Sequence, residues 1–218
     1  MPRPKLQAGS SQTIATTVYD LIRSDILRGE LKPGERLRVE TLRARYESSA
    51  SPVREALNRL SANALVINTD NRGFYVPNVS REELLELYKT REWLESRALS
   101  EAIQHGDAAW EERVVLAQHR LNTTERCLDD AGREANPDWE FAHRAFHMEL
   151  ISACDSSWMI RFCQQLHDQA DRYRQLAVFV APKRRRPQDE HSEIAEACLQ
   201  RNPDMAVCLL YTSPSPRD

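Results

Sequence analysis

The segment Ser51-Pro52-Val53-Arg54-Glu55-Ala56-Leu57 opens the helix that decides this fold. A serine followed by a proline is a frequent helix start, with Ser51 as the N-cap and Pro52 in the first helical position. The apolar residues that follow recur at helical spacing and form one inward stripe, made of Val53, Ala56, Leu57 and Leu60. The outer face is then left to Arg54, Glu55, Asn58 and Arg59.

Two further helices are predicted upstream of this one. A periodic apolar pattern begins at Ile14 and stops at Arg28-Gly29, a usual C-terminal signature. A shorter helix is expected from Glu40 to Tyr46, joined to the Ser51 helix by the polar connection 47–50. Two helices joined by a tight turn, with a polar outer face, are typical of a helix-turn-helix.

A hairpin is predicted downstream of the third helix. Residues 65–68 and 74–76 are rich in β-branched and aromatic side chains, and the turn-like segment 69–73 separates them. Three helices and a small hairpin wing make a winged helix-turn-helix, which we place at residues 12–78. Residues 1–11, rich in proline, serine and charge, are expected to be a disordered tail.

The second half of the chain has helical periodicity only. A capping box, Ser80-Arg81-Glu82-Glu83, opens a long helix, and breaks near residues 106, 132–137, 154 and 181–187 predict five or six helices in all. We therefore expect a mostly α protein, with an antiparallel all-helical bundle at residues 79–207 after the winged domain.

Charge divides at the same boundary. Residues 1–78 carry 12 Lys/Arg and 8 Asp/Glu, a net of +4, whereas the rest carries 18 and 25, a net of −7. A basic N-terminal part followed by an acidic C-terminal part is typical of a nucleic-acid-binding module joined to a module that does not bind nucleic acid. Scattered cysteines, no long apolar run and no signal peptide favour a cytoplasmic protein without a membrane partner.

One histidine pair has the spacing of a metal chelate. His143 and His147 lie four residues apart on an amphipathic segment, so both rings project from one helix face. A pair at this spacing is as readily a hydrogen-bonded core feature, and both interpretations stay open.

The chain resembles the GntR superfamily of bacterial regulators, in its FadR branch with the FCD effector domain, over residues 14–207. The specific matches are residues 26–37 (ILRGELKPGERL), residues 51–57 (SPVREAL) and residues 72–76 (RGFYV). In the second half, Arg91 and Glu95, Phe146-His147 and Glu190-His191 fall where that domain carries comparable residues.

The resemblance implies that the third helix enters the DNA major groove and that the wing reaches the minor groove. It places Ser49, Ser51 and Arg54 near bases or phosphates, with Arg72 and Gly73 at the wing. For Arg43, Arg45 and Arg59, phosphate contacts and solvated charges remain equal alternatives. The sequence departs from the family at Glu47, where glycine is frequent, and at Ala50, where arginine is frequent.

The resemblance also implies a divalent metal site, with His191 joining His143 and His147. His143 stands where the family usually has aspartate, which favours zinc or nickel over a harder ion. A final family histidine is expected near residue 213, where this chain has serine. His105, His119 and His167 are expected to be surface or packing residues.

Arginines are the candidates for effector binding. Arg91 resembles the family arginine that faces the pocket, where a guanidinium suits a carboxylate ligand, and Glu95 is its neighbour at i+4. The alternative for Arg91 is an intrahelical ion pair with Glu95. Arg172 and Arg174 are further candidates. The resemblance as a whole implies a homodimeric regulator that binds operator DNA under control of a small organic acid.

Two other functions are alternatives for this sequence. Histidines in a helical bundle can activate water, so a metal-dependent enzyme with a fused DNA-binding domain is the alternative, although no nucleophile or paired carboxylates accompany them. A third hypothesis is an architectural protein that binds DNA without sequence specificity.

The last residues, 208–218, have the sequence CLLYTSPSPRD. A transposon-type sequencing adapter translates in one reading frame to the same residues. We therefore expect this tail to be a translated adapter that replaces a helical continuation, and we exclude it from functional reasoning.

Overall fold

A computed structural model describes residues 13–129, 136–178 and 187–212, with side chains at 13–129, 136–173 and 190–211. The chain divides into two compact units, Met1–Asn78 and Val79–Asp218. Within the described ranges, no helix is long and apolar enough to span a membrane.

The first unit combines three helices with a small antiparallel sheet. The helices are α1 (Ile14–Leu27), α2 (Val39–Arg45) and α3 (Ala50–Ala62), and the strands are β1 (Arg36–Leu37), β2 (Ile67–Thr69) and β3 (Gly73–Tyr75). The inward stripe of α3 packs against α1 and forms the core with residues such as Val18, Ile22, Leu42 and Val76.

Two predictions for this unit need correction, the start of α3 and the number of strands in the wing. Helix α3 begins at Ala50, so Ser49 rather than Ser51 occupies the N-cap position, with extended backbone (φ −86°, ψ 169°). Pro52 remains in the first turn, where its missing N–H is not needed. The wing is a three-stranded sheet, ordered β1-β3-β2, and not a lone hairpin, because Arg36 and Leu37 pair with Tyr75 and Phe74.

A buried carboxylate joins α1 to α2. The side chain of Asp25 accepts hydrogen bonds from Arg28 (2.9 Å), from Tyr46 (2.7 Å) and twice from Arg45 (2.9 and 2.6 Å). Burial raises the pKa of Asp25, but the hydrogen bonds from Tyr46 and Arg28 and the charge of Arg45 outweigh it and hold that pKa below its ordinary value.

The second unit is helical throughout its described residues. Its helices are α4 (Arg81–His105), α5 (Ala108–Thr123), α6 (Pro137–Leu150), α7 (Ser157–Val178), α8 (Pro187–Leu199) and α9 (Pro203–Thr212). Ser80 caps α4 and Asp107 caps α5 through their side-chain oxygens. Helix α4 packs against α7 and α9, α5 against α6 and α8, and α8 against α9 around a shared apolar core.

Helix α9 extends further than the sequence pattern suggested. Residues 208–212 continue the helix to Thr212, where an unhelical tail was expected after Val207. Leu209 and Leu210 continue its apolar face and pack against the core of this unit, which accounts for the extra turn.

Candidate functional site

The outer face of α3 forms an open groove. Its lining includes Ser51, Arg54, Glu55 and Asn58, which are partly or fully exposed polar side chains. A second groove lies between α3, β1 and the wing, and its lining includes Arg36, Arg38, Arg54 and Gly73. Arg54 is the arginine that lines both grooves. It is exposed and has no hydrogen-bond or ion-pair partner among the described residues.

Arg36 and Arg38 extend this basic surface beyond what the sequence analysis predicted. Both are exposed and flank Leu37, which is buried, so the strand alternation turns the two guanidinium groups to the solvent side. The alternating Arg-Leu-Arg pattern was the available signal. It was missed because β1 is only a two-residue strand.

Arg43, Arg45 and Arg59, each predicted to be either a phosphate contact or a solvated charge, have different partners in the structure. Arg43 forms an exposed ion pair with Glu40 (2.6 Å). Arg59 lies over the Tyr19 ring, 4.4 Å from its centroid, and donates to the Thr16 hydroxyl. Arg45 donates hydrogen bonds to the buried Asp25 and also to Glu30. Its guanidinium therefore has a structural role in the first unit, and a phosphate contact by Arg45 stays a prediction.

Backbone conformation at the wing tip requires glycine. Gly73 has φ +87°, in the left-handed region that L side chains rarely adopt, while nothing lies within 4 Å of where its Cβ would be. The tip is therefore open to an approaching ligand. Exposed Arg72 precedes Gly73, and exposed Ser49 stands at the start of α3.

Three histidines of the second unit converge. Side-chain nitrogens of His143, His147 and His191 all lie within 4.8 Å of one another. The Nε2 atoms of His143 and His147 are 3.2 Å apart, and the ring centroids of the three pairs are 4.6, 5.1 and 5.5 Å apart. Two nitrogens on one tetrahedral zinc ion are about 3.3 Å apart. The donor set and its spacing therefore fit a divalent metal.

Packing holds these imidazoles in place. His143 and His147 lie one turn apart on α6, and α8 supplies His191. The Trp139 ring stacks on His143 at 4.7 Å, and the buried Phe146 ring meets the rings of His147 and His191 edge-on. Such support favours a preorganised site over three unrelated core histidines.

Arg91 and Glu95 form the intrahelical pair that was the alternative to effector binding. Arg91 donates two hydrogen bonds to the Glu95 carboxylate, at 2.8 and 3.1 Å, and both side chains are largely buried. Burial lowers the pKa of Arg91, but the adjacent Glu95 carboxylate outweighs it and raises that pKa above its ordinary value. The Tyr211 hydroxyl also lies 3.2 Å from Glu95.

Arg172 on α7 is in a different state. It is 1% exposed, and none of its three guanidinium nitrogens has a hydrogen-bond partner in the described structure. Among the described residues, the nearest opposite charge is Glu83 at 3.6 Å, and that carboxylate accepts a hydrogen bond from Tyr173. The side chain of Arg174 lies outside the described residues.

Comparison with known proteins decides the family. The FCD domain matches residues 86–212, and the description "Bacterial regulatory proteins, gntR family" matches residues 14–76. The chain belongs to the GntR family and carries an FCD domain.

Full-length relatives of this GntR-family chain carry regulator names. It is 40% identical over 200 residues (91% of this chain, 81% of the relative) to the uncharacterized HTH-type transcriptional regulator BphR of Paraburkholderia xenovorans (strain LB400). It is 32% identical over 188 residues (84% of each chain) to the HTH-type transcriptional repressor GlaR of Escherichia coli (strain K12).

Solved structures agree on the architecture of the GntR-family chain. Escherichia coli McbR/YncC superposes with a TM-score of 0.74 at 18% identity, covering 92% of this chain and 93% of that one. A putative GntR regulator from Rhodococcus sp. RHA1 gives 0.68 at 25% identity, covering 91% and 92%.

This GntR-family chain is thus a DNA-binding transcription regulator with a helical effector domain. The predicted fold class, a winged helix-turn-helix followed by a helical domain, is confirmed by these neighbours. The enzyme alternative finds no support, because the family and the named relatives are transcription regulators.

Proposed function

We propose that this protein is a repressor whose operator affinity is controlled by a small organic acid bound in the FCD domain. The proposal is carried by the contrasting states of two arginines, one in each unit. Arg54 is exposed in a basic groove, and Arg172 is buried without a hydrogen-bond partner among the described residues.

Operator recognition follows from the chemistry of the groove. A guanidinium can donate two hydrogen bonds to O6 and N7 of guanine, and we assign this contact to Arg54 in the major groove. Ser49 and Ser51, at the start of α3, suit phosphate oxygens. Arg36, Arg38 and Arg72 add positive charge toward the backbone, and Gly73 lets the wing approach the minor groove closely.

Effector recognition follows from the state of Arg172. A buried guanidinium that donates no hydrogen bond is unfavourable unless an anion supplies acceptors. Glu83 lies at 3.6 Å and also interacts with Tyr173, so it satisfies the guanidinium poorly. A carboxylate that forms two parallel hydrogen bonds with Arg172 would remove this deficit. Arg174 is a further candidate, whereas the Arg91 guanidinium is already bound by the buried Glu95 carboxylate.

We further propose a zinc or nickel ion at His143, His147 and His191. Three neutral imidazoles suit these borderline metals. The ion would supply a Lewis-acid centre that ties α6 to α8. Metal analysis of protein purified without chelators or an affinity tag tests this, and less than about 0.1 equivalents of metal would exclude it.

The operator should have two-fold symmetry. We propose a homodimer, since GntR regulators commonly dimerise, so that two winged units bind matching half-sites. Because operator DNA is its proposed target, we propose that the protein acts in the cytoplasm. Effector binding would then change the fit of the two winged units to the operator.

Two measurements test this function. Operator sites selected from random DNA should bind about a thousandfold more tightly than random competitor, whereas an architectural protein would bind both alike. A thermal-shift screen of dicarboxylates, amino acids and sugar acids should reveal a ligand that raises the melting temperature and changes operator affinity.

Arg172→Met sharpens the effector test. The substitution removes a buried charge that has no hydrogen-bond partner among the described residues. The ligand-free variant should therefore melt no lower than the parent, yet lose the thermal shift caused by the acid. Arg161→Met, at an exposed position on the same helix, is the matched control and should keep that shift. A full shift in Arg172→Met would overturn this assignment.

A further inference from the structure

His167 on α7 is a buried imidazole without a hydrogen-bond partner in the part of the chain that the structure describes. It was expected to be a surface or packing residue, and it is only 4% exposed. Neither Nδ1 nor Nε2 makes a hydrogen bond within the described structure. Buried polar groups normally have partners, so a side chain in this state points to a ligand.

His167 lies beside the histidine cluster. Its ring centroid is 5.2 Å from that of His147, within the 4.6–5.5 Å range that separates the rings of His143, His147 and His191. Both side chains line one small cavity between α4, α6, α7 and α9, which Glu95 also lines. The cavity volume of about 10 Å³ suits one water molecule or ion and is too small for an organic acid.

A carboxylate lies near one nitrogen of the His167 ring. Oδ1 of Asp171, one turn along α7, is 3.9 Å from Nδ1 of His167. Metal-binding histidines usually present one ring nitrogen to the ion and the other to a carboxylate, which fixes the tautomer. In that arrangement Nδ1 carries the proton toward Asp171, and Nε2 is left for the metal.

We propose that His167 is the fourth imidazole ligand of the metal centre in this chain. The inference rests on the proposed metal at His143, His147 and His191, which leaves one position of a tetrahedral ion open. The nitrogens of His167 are outside the 4.8 Å group, so the ring turns toward His147 when the ion binds. A site closed by four imidazoles keeps no position for the acid, which then binds through Arg172.

Zinc titration of the full chain tests the proposal. Metal-free protein is titrated with Zn²⁺ against a chromophoric chelator, for the parent, His167→Ala and the exposed control His119→Ala. We expect affinity to fall at least 100-fold in His167→Ala, to stay within threefold of the parent in His119→Ala, and to fall about tenfold in Asp171→Asn.

A second readout does not depend on any variant folding. X-ray absorption of the zinc-loaded parent should count four imidazoles. A count of three, or an affinity of His167→Ala within threefold of the parent, would overturn the role of His167 while leaving the three-histidine centre intact. A parent chain that binds no zinc would instead remove the metal centre itself.

Discussion

Arg45 donates two hydrogen bonds to the buried carboxylate of Asp25, twenty residues earlier in the chain, with N···O distances of 2.9 and 2.6 Å. The contact fixes α2 against α1, and α2 is the helix that precedes the recognition helix α3. An arginine for which the sequence left a phosphate contact and a solvated charge as equal alternatives thus has a structural role inside its domain.

Removing this contact should destabilise the first unit. We expect Arg45→Ala to lower its free energy of unfolding by about 2 kcal/mol, because a charged hydrogen-bond pair around a buried carboxylate is lost. The matched control is Arg43→Ala on the same helix, whose pair with Glu40 is exposed and worth less than about 0.5 kcal/mol. Amide hydrogen exchange in α1–α3 measures both. Equal effects would contradict the structural role of Arg45.

Acid should act on the same carboxylate. The pKa of Asp25 is lowered in the folded state, so its contribution to stability is fully present well above the ordinary value of 3.8 and is lost as the pH falls below it toward the folded pKa. Asp25→Asn removes this titration and flattens the acid limb of the stability curve. Hydrogen exchange at α1–α3 between pH 3 and 6 gives the comparison, and an unchanged acid limb would argue against it.

Glu47 sits in a strained conformation. Its φ is +48°, in the turn between α2 and α3, and the left-handed region costs an ordinary L residue about 1 kcal/mol relative to glycine. We expect Glu47→Gly to raise the free energy of unfolding of the first unit by that amount, measured as slower amide hydrogen exchange. Glu47→Ala, which keeps a Cβ, should give no such gain. Loss of stability in the glycine variant would show that the side chain matters more than the strain.

Gly106 is constrained by the space around it rather than by its backbone conformation. Its φ of −60° suits any residue, but an added Cβ would collide with the buried indole of Trp110 and lie 2.7 Å from the Ala102 carbonyl. Gly106→Ala should therefore cost the second unit about 2 kcal/mol. Tryptophan fluorescence reports this unit alone, since all four tryptophans lie beyond residue 78. An unaltered urea midpoint would mean that α5 can shift freely.

Arg54 is the residue on which operator specificity depends. We expect Arg54→Ala to abolish operator-specific binding in a gel-shift titration. The proposed dimer loses one bidentate base contact, about 1–3 kcal/mol, at each of its two half-sites, and position 50 carries alanine rather than an arginine that could compensate. Arg161→Ala, with the same change of charge in the second unit, should bind as the parent does. Unchanged affinity in Arg54→Ala would assign recognition to another side chain.

The helices could be predicted because their signals are local. The inward stripe of α3 and the capping box before α4 both need only neighbours within one or two turns. The pairing of the two-residue strand β1 could not be predicted, because its partner Tyr75 lies nearly forty residues later. Tertiary pairing, rather than propensity, creates such an element.

The candidate sites follow the same distinction. His143 and His147 were predictable from their i, i+4 spacing on one helix. His167 was not, because its neighbour His147 lies on another helix, twenty residues earlier, and nothing around Leu166-His167-Asp168 indicates the contact. Likewise, Arg45 and Arg172 have the same side chain, and only the tertiary structure separates the bonded guanidinium from the one without hydrogen bonds.

The two faces of α3 have consequences for how such regulators diversify. Val53, Ala56, Leu57 and Leu60 maintain the fold, whereas Ser51, Arg54, Glu55 and Asn58 face outward and contribute nothing to the buried core. Substitutions at these outward positions can therefore accumulate without a loss of folding. Duplicated copies could acquire new target promoters by changing four codons, and a designed library at the same positions should yield orthogonal genetic switches from one scaffold.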